Sequence, residues 1–356
     1  MTAPRAIVCG PASTARIGGG LLERASEDLV SPSGRFLLVS SAGSAPVADR
    51  LRHSLAGRLL LDLVIDDREE AKTLEAVERI AHAALEAGVR RDDALIAVGG
   101  GVVSDIAGFA AAIMLRGVAW NVVPTTTGAM ADAAIGGKTG VDTKAGKNLI
   151  GAFHPPRAIL IDPAALQTLP DRDFRAGLVE AFKAAWIADA ALAERAERDI
   201  AKILARDEKT LMDLIAGAVA VKAAIVTDDL RESDRRRLLN FGHTVGHAFE
   251  AAGRYRELKH GEAVAWGIAA ALEISARRAA LAPPAAARIR GVLSALGPFP
   301  EPDRDPDALK DFLSRDKKAT SRGIAGVVLE TIGRARVAEA VSMDEWLEAA
   351  GAARLS

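Results

Sequence analysis

The sequence predicts two domains, an α/β domain built on a parallel sheet and a mainly helical domain that follows it. Three observations support this fold class. The 356 residues suffice for two domains of roughly 150 residues each. Over the first 160 residues, short apolar, β-branched runs alternate with helical patterns, and turn residues mark each change of period. After Pro163 the apolar spacing is almost wholly helical, so we predict domains at residues 1–163 and 164–356.

The individual elements follow from the spacing of the apolar residues. In the first domain this spacing predicts strands at 6–9, 36–40, 61–65, 94–98, 120–123 and 158–161, and helices at 73–87 and 103–115. Alternation of this kind favours a parallel sheet with a crevice at the carboxyl ends of its strands. In the second domain it predicts helices at 175–188, 192–205, 208–225, 238–252, 261–280 and 284–295, and strands at 326–329 and 335–337. Since no flexible linker separates the domains, we expect them to share a cleft.

The composition excludes several classes of function. The 46 Lys and Arg residues against 47 Asp and Glu give a net charge of −1, which provides no overall field for nucleic acid or an acidic membrane. Aromatic residues are only 4%, too few for a base-stacking surface. Cys9 is the single cysteine, which excludes an intramolecular disulfide and a thiolate metal cage and fits a reducing compartment. We expect neither a signal peptide nor a membrane span, and we expect a cytoplasmic protein.

A glycine-rich turn connects a buried strand to a helix. Gly99, Gly100 and Gly101 let the backbone approach a diphosphate, while the helix amino terminus supplies unpaired N–H groups. The segment lacks the last glycine of the G-x-G-x-x-G fingerprint, and a simple tight turn explains it equally well. The threonines at 125–127 end the next strand, and their hydroxyl groups favour a nucleotide at the same crevice.

Three of the six histidines fall within eighteen residues. His243 and His247 stand four apart, which places both on one face of a helix, and His260 begins the next helical segment. Neutral imidazoles at this spacing bind zinc, with Glu180 as a further partner because a carboxylate among apolar residues needs a cation. The spacing does not decide which histidines are ligands and which is an acid or base. Histidines satisfied within the core, with an arginine-paired Glu180, are the alternative.

Several cations stand in unusual surroundings. Lys138 and Lys147 are flanked by glycines in apparent loops, which favours close approach to a phosphate. Lys222 lies on an otherwise apolar helix. The arginines at 235–237 precede the histidine helix and, like the lysines at 317–318, are typical of a solvated face when taken alone.

Seven stretches then occur in a fixed order along the chain. They are GGGVVSDIAGF (99–109), RGV (116–118), PTT (124–126), DAAIGGKTGVDTKAGKNLIGAFHPP (132–156), EAFK (180–183), LLNFGHTVGHAFE (238–250) and HGEAVAWG (260–267). On these motifs the chain closely resembles the 3-dehydroquinate synthases, members of the sugar phosphate cyclases, from about Glu69 to Lys318. The resemblance implies a Rossmann-like NAD-binding α/β domain and a helical carboxy-terminal metal-binding domain. It further implies an active site between them and a homodimer.

The resemblance also assigns roles residue by residue. The metal, zinc by preference and cobalt as an alternative, would be bound by Glu180, His243 and His260, which leaves His247 to contact substrate phosphate. The positions matching the family's catalytic residues are Asp132, Lys138, Lys183 and His247. Those matching its substrate-binding residues are Arg116, Lys147, Asn148, Lys222, Glu232, Arg236, Asn240 and Lys317 (or Lys318), with Arg116 reaching across the dimer interface. Those matching its NAD-binding residues are Glu69, Lys72, Gly100, Gly101, Asp105, Thr125, Thr126, Lys138 and Lys147.

The implied reaction converts 3-deoxy-D-arabino-heptulosonate 7-phosphate to 3-dehydroquinate and phosphate. It proceeds through transient oxidation by NAD, phosphate elimination, re-reduction and intramolecular aldol closure. The chain departs from the family at the segment 40–44, which lacks the usual ribose-binding aspartate, and at Thr127, Ala133, Ala134 and Ala184. The alternatives are a sister cyclase acting on a sedoheptulose or glucose phosphate, a metal- and NAD-dependent polyol dehydrogenase, and a non-catalytic zinc and nucleotide sensor. Lys222 and Arg236 together favour a substrate with a carboxylate.

Overall fold

The architecture comes from a computed structural model that describes residues 4–144, 146–229, 235–315, 319–320 and 323–355. The chain forms two compact units. The first comprises Met1–Leu169 together with Lys222–Arg231, and the second comprises Pro170–Val221 together with Glu232–Ser356.

The first unit is an α/β unit. Its elements are β1 (Arg5–Val8), β2 (Thr14–Ile17), α1 (Ala25–Asp28), β3 (Phe36–Ser41), α2 (Ala45–Ser54), β4 (Leu59–Ile65), α3 (Leu74–Glu86), β5 (Ala94–Gly99), α4 (Gly101–Ile113), β6 (Ala119–Pro124), β7 (Lys138–Thr143), β8 (Gly146–Phe153) and β9 (Ala158–Ile161). Seven strands form one sheet in the order β1-β2-β9-β6-β5-β3-β4. All neighbours are parallel except β1 and β2, so the predicted parallel sheet is confirmed.

The centre of this sheet is buried on both faces. Every residue of β3 and β5 is buried, as expected of parallel strands covered on both sides. A Cβ at Gly99 would lie 2.6 Å from the Val103 side chain, so the chain turns directly from β5 into α4. The carboxyl ends of β3, β5 and β6 therefore meet at one edge, where the predicted nucleotide residues begin.

The two glycine-flanked lysines lie on strands, which corrects the prediction of loops. Lys138 begins β7 and Lys147 is the second residue of β8, and these strands pair as an antiparallel hairpin. A Cβ at Gly140 would lie 2.6 Å from the Ile150 carbonyl oxygen, and one at Gly151 would overlap the Thr139 carbonyl oxygen. These two glycines are therefore required for close backbone pairing in the hairpin, a reason that does not involve phosphate.

The second unit is mainly helical. The elements from residue 171 onward are α5 (Asp171–Ala188), α6 (Ala190–Arg198), α7 (Ile200–Leu204), α8 (Glu208–Asp228), α9 (His243–Ala252), α10 (His260–Ala279), α11 (Pro283–Leu296), α12 (Pro306–Arg315), β10 (Ala319–Thr320), β11 (Gly323–Thr331), β12 (Arg334–Val341) and α13 (Met343–Ala352). The last residues of α8, from Lys222 onward, belong to the first unit. The three strands form an antiparallel sheet in sequence order.

Two predicted helices are interrupted. The helix predicted at 192–205 is divided at Asp199 into α6 and α7. The helix predicted at 238–252 is a 3₁₀ turn over Arg235–Asn240 followed by α9. Gly242 separates them with φ of 81°, a left-handed conformation that ends a right-handed helix and that glycine adopts without strain.

Among the described helices, only α8 is long and apolar enough to cross a membrane. Its mean hydropathy over the most apolar window is 1.7, and 61% of that window is buried inside the protein. Core helices of soluble proteins have the same length and composition, so this helix is weak evidence for a membrane span.

Candidate active site

Two glycines of α10 bring this helix into backbone contact with α5 and α9. A Cβ at Gly267 of α10 would lie 2.7 Å from the Gly246 nitrogen of α9 and would overlap the Gly242 carbonyl oxygen. A Cβ at Gly261 would overlap the carbonyl oxygen of Ala176 in α5. Since helices normally pack 8–10 Å apart, depending on the side chains at the contact, glycine is what allows this close approach. Side chains on the facing surfaces of the three helices are thereby held together.

Those side chains form a histidine–glutamate cluster consisting of Glu180, His243, His247 and His260. One nitrogen from each histidine lies within 4.8 Å of the others. The Glu180 Oε1 atom is 3.8 Å from His243 Nε2 and 3.6 Å from His260 Nε2. The structure therefore brings all four predicted residues together. The three histidines lie close enough to one another to share one ion, so the choice of ligands stays a prediction.

The state of Glu180 fits a bound cation. Its side chain is 4% exposed, and among the described residues neither carboxylate oxygen has a hydrogen bond of acceptable geometry. The Lys183 ammonium, one helical turn away, lies 2.5 Å from Oε2 and offsets the charge. A buried carboxylate with unused lone pairs is costly without a further positive group, and a divalent metal supplies one.

His243 is held in the form that binds metals. Its Nδ1 lies 3.2 Å from the Phe241 carbonyl oxygen, and because a carbonyl only accepts, Nδ1 carries the hydrogen. The Nε2 lone pair is therefore directed toward Glu180. Burial, reinforced by the Lys183 charge, holds the pKa of His243 well below its usual range. A neutral imidazole whose other nitrogen donates to a backbone carbonyl is the usual arrangement of a metal-binding histidine. The residues present thus fit a divalent metal.

A second polar cluster lies in the first unit around Lys72, which is 4% exposed. The Lys72 Nζ atom lies 2.6 Å from Asp105 Oδ2 and also donates to Asn148 Oδ1. The Asn148 N–H donates to Asp142 Oδ1 at 2.8 Å, and the Asp142 N–H donates to the Lys72 carbonyl at 2.8 Å. Burial raises the pKa of the Asp105 carboxyl to about 6, and the Lys72 charge acts in the opposite direction. Asn148 is thereby linked to the predicted nucleotide residues.

Three further contacts involve predicted nucleotide residues. The Lys147 ammonium lies 3.1 Å from Glu69 Oε1. A Cβ at Gly100 would lie 3.2 Å from Thr126 Cγ2, so the glycine turn and the threonine turn are adjacent. The Thr125 N–H donates to the Gly99 carbonyl at 2.9 Å, which fixes the second turn against the first.

Asp132 and Lys222 form an ion pair in the first unit, in which Lys222 is buried and Asp132 is partly exposed. The Lys222 Nζ atom donates to the Asp132 carbonyl oxygen at 2.6 Å and lies 2.8 Å from the Asp132 carboxylate. Asp132 lies in a π-helical turn that spans Ala129–Ala133, and Lys222 is 6% exposed. A lysine predicted to bind a substrate carboxylate is therefore already bound to a carboxylate of the protein.

Arg116 is exposed on a left-handed turn at the end of α4. Leu115, Arg116 and Gly117 have φ angles of 50°, 66° and 119°. The left-handed conformation costs a residue with a side chain roughly 1–2 kcal/mol, so the turn that presents Arg116 has a strained backbone.

Comparison with known proteins gives the family of this chain. The family model described as 3-dehydroquinate synthase N-terminal matches residues 62–176, and the model described as 3-dehydroquinate synthase C-terminal matches residues 177–319. The 3-dehydroquinate synthase of Geobacter metallireducens is 41% identical over 307 residues, which cover 86% of this chain and 85% of that protein. The chain belongs to the 3-dehydroquinate synthase family.

Solved structures of sugar phosphate cyclases share the fold of this family member. A 2-deoxy-scyllo-inosose synthase, solved with carbaglucose-6-phosphate, NAD+ and Co2+, superposes with a TM-score of 0.86 at 25% identity and covers 98% of this chain and 99% of that chain. The 2-epi-5-epi-valiolone synthase of Streptomyces hygroscopicus subsp. jinggangensis 5008, solved with NAD+ and Zn2+, superposes with a TM-score of 0.85 at 30% identity. The match covers 98% of this chain and 97% of that chain. The expected fold class is thus confirmed.

The other residues implied by the 3-dehydroquinate synthase resemblance have varied surroundings. Arg236 is 2% exposed, so it does not belong to a solvated arginine face. Asn240 is the last residue of the 3₁₀ turn Arg235–Asn240, which also contains Arg236. Lys138 is exposed at the start of β7. Glu232 and Lys317, with the alternative Lys318, lie outside the described residues.

Glu250 contacts the histidine–glutamate cluster and was not among the residues predicted from the sequence. Its Oε2 atom lies 3.4 Å from His260 Nδ1. The signal was available, because His243, His247 and Glu250 follow the i, i+4, i+7 spacing of one helix face. It was missed because a glutamate at the end of an apolar motif also suits a solvated helix end.

Proposed function

We propose that this protein converts 3-deoxy-D-arabino-heptulosonate 7-phosphate to 3-dehydroquinate and inorganic phosphate, as a cytoplasmic lyase of the shikimate pathway that leads to chorismate and the aromatic amino acids. The observation that carries the proposal is the contact of the buried Glu180 carboxylate with His243 and His260. This donor set suits one divalent ion with positions left for a substrate. Zinc is the metal we propose, with cobalt as the alternative, and NAD is the proposed nucleotide.

The bound groups supply the chemistry that side chains lack, since NAD accepts and returns a hydride while the metal acts as a Lewis acid toward substrate hydroxyls. The protein's part is to hold those groups and to orient the substrate. Glu180, His243 and His260 are the proposed metal ligands. The residues proposed to bind NAD are Glu69, Lys72, Gly100, Gly101, Asp105, Thr125, Thr126, Lys138 and Lys147.

Substrate recognition requires separate cations for a phosphate and a carboxylate. We assign the phosphate to Lys138, Asn148, Asn240, His247 and Arg116, the last from the second subunit of a homodimer. We assign the carboxylate to Lys222 and Arg236. Lys183 and Asp132 are proposed to contact the hydroxyl groups at the reacting carbons. Lys147, Glu232 and Lys317 are further proposed substrate contacts.

Two buried cations favour a substrate with a carboxylate over a sugar phosphate that lacks one. Lys222 is 6% exposed and Arg236 is 2% exposed. Asp132 supplies one negative partner to Lys222 at 2.8 Å, and a substrate carboxylate would supply a further one to Lys222 and Arg236. Sedoheptulose and glucose phosphates have no carboxylate to offer.

One assay separates the proposed activity from its alternatives. The protein is incubated with Zn2+, NAD+ and the heptulosonate phosphate while phosphate and NADH are measured together. We expect phosphate release without accumulation of NADH, because the hydride returns to the product. NADH without phosphate would identify a dehydrogenase, and phosphate release only from sedoheptulose or glucose phosphate would identify a sister cyclase. Neither product from any substrate would support a non-catalytic sensor.

A further inference from the structure

We propose that Glu250 is a positioning residue that orients the His260 imidazole for metal binding. The inference rests on the proposed function, because it takes His260 as a ligand. It concerns a residue outside the assigned ligand, substrate and nucleotide sets.

The geometry places His260 between two carboxylates. Its Nδ1 lies 3.4 Å from Glu250 Oε2, and its Nε2 lies 3.6 Å from Glu180 Oε1. A carboxylate only accepts, so the Nδ1 hydrogen is directed to Glu250 and the Nε2 lone pair faces the proposed metal position beside Glu180. Metal-binding histidines commonly donate their second nitrogen to a carboxylate in this way, which fixes the tautomer and makes the imidazole a better ligand.

His260 needs such a partner more than His243 does. The His243 ring is buried, and the Phe241 carbonyl fixes its tautomer. The His260 side chain is 48% exposed, so packing restrains its ring less. Glu250 is 3% exposed and lies on α9, where its neighbours Val245 and Phe249 are buried. It can therefore act as a fixed support for a ring that is itself half-exposed.

The backbone that carries His260 is fixed by a separate set of contacts. Glu262 pairs with Arg172 through two bonds, at 2.6 Å and 2.8 Å, and accepts the Lys259 N–H at 2.8 Å. Lys259 also pairs with Asp173. These contacts join the first turn of α10 to the first turn of α5. They fix the position of the His260 backbone, and Glu250 fixes the orientation of the His260 ring.

The burial of Glu250 supports the same role. A carboxylate at 3% exposure is costly to desolvate, so a glutamine or an apolar residue would suit the fold of α9 better. The contact with His260 Nδ1 uses the property that distinguishes glutamate from these residues, its negative charge. That charge stabilises an imidazole that binds a cation.

The test measures metal binding directly. Zn2+ affinity is determined by competition with a chromogenic chelator, and the visible spectrum of the Co2+-loaded protein reports the ligand geometry. For Glu250→Gln we expect a 10–100-fold loss of Zn2+ affinity and altered Co2+ bands. The matched control is Glu273→Gln, which removes a glutamate of α10 that pairs with Arg290 at 2.5 Å, and we expect it to leave both readouts unchanged. An unchanged affinity and spectrum in Glu250→Gln would overturn the proposal.

A double-variant cycle separates positioning from a general structural effect. If Glu250 acts through His260, then Glu250→Gln has no further effect on the residual Zn2+ affinity of a His260→Ala protein. An equal loss in both backgrounds would refute the role. Urea unfolding of the metal-free protein shows whether Glu250→Gln folds, and if it does not, Glu250→Asp is carried through the same cycle. Retention of full Zn2+ affinity by His260→Ala would instead contradict the ligand assignment on which the proposed function rests.

Discussion

The substitution Gly267→Ala should separate helices α9 and α10. The added methyl carbon would lie 2.7 Å from the Gly246 nitrogen and would overlap the Gly242 carbonyl oxygen. Non-bonded atoms are most stable at about 3.5 Å or more, so relieving the overlap with the Gly242 carbonyl oxygen requires the two helices to move apart by about 1.7 Å. Overpacking costs about 1–3 kcal/mol and occasionally more. Because backbone atoms are the obstacle here, we expect the free energy of unfolding to fall by about 3 kcal/mol.

The same movement should weaken metal binding. It displaces His243 and His247 of α9 from His260 of α10, and a metal site tolerates a misplacement of only about 0.5 Å. We expect at least a tenfold loss of Zn2+ affinity, measured by chelator competition, alongside the loss of stability, measured by urea unfolding.

Gly291→Ala is the matched control. Gly291 is exposed within α11, and apart from its chain neighbours and the backbone of its own helix, no atom of the described residues lies within 4 Å of the position of its added methyl group. Alanine should therefore stabilise this helix by about 0.5–1 kcal/mol without altering Zn2+ affinity. If Gly267→Ala had the same free energy of unfolding and the same Zn2+ affinity as the parent protein, the close helix contact at Gly267 would not be what assembles the cluster.

Three further predictions concern single residues. Glu180→Ala and His260→Ala should lose zinc on gel filtration while His247→Ala retains zinc but not activity, and equal zinc loss in all three, measured by metal analysis, would contradict the ligand set. An Arg116→Ala protein should recover phosphate release when mixed as a heterodimer with a subunit inactivated elsewhere, and no recovery would argue against an arginine acting across the interface. Burial raises the pKa of Asp105 from 3.8 to about 6, so the folded state binds its proton more tightly and loses stability as pH rises through this range. Relative to Asp105→Asn, the parent protein should lose about 3 kcal/mol of unfolding free energy between pH 3 and pH 7, measured by urea unfolding, and parallel pH profiles would refute this.

The sheet and most helices were predictable because their periodicity is strong. The apolar runs of β3 and β5 read directly as buried parallel strands. The hairpin of β7 and β8 was not predictable in the same way, because its glycines resemble those of a phosphate-binding loop. Their actual constraint, a cross-strand carbonyl too close for any Cβ, exists only once the strands are paired.

The histidine–glutamate cluster was partly predictable for a similar reason. The i, i+4 spacing of His243 and His247 is local, so the sequence carries it. The approach of Glu180 from α5 depends on contacts such as that between Gly261 and the Ala176 carbonyl, which no local pattern encodes. The pairing of Lys222 with Asp132 was likewise not predictable from a local pattern, since the two residues are ninety positions apart along the chain.

The pairing of Lys222 with Asp132 makes carboxylate recognition a competition for one ammonium group. Under the proposed function, a substrate carboxylate competes with the Asp132 carboxylate for the N–H groups of Lys222, whereas a sugar phosphate without a carboxylate can bind with the internal pair undisturbed. Selectivity is the difference between these two binding free energies, so the internal pair reduces the preference for the acid below what an unengaged lysine would give. Asp132 thereby sets how strongly the protein discriminates between substrates with and without a carboxylate, in addition to any contact it makes with either.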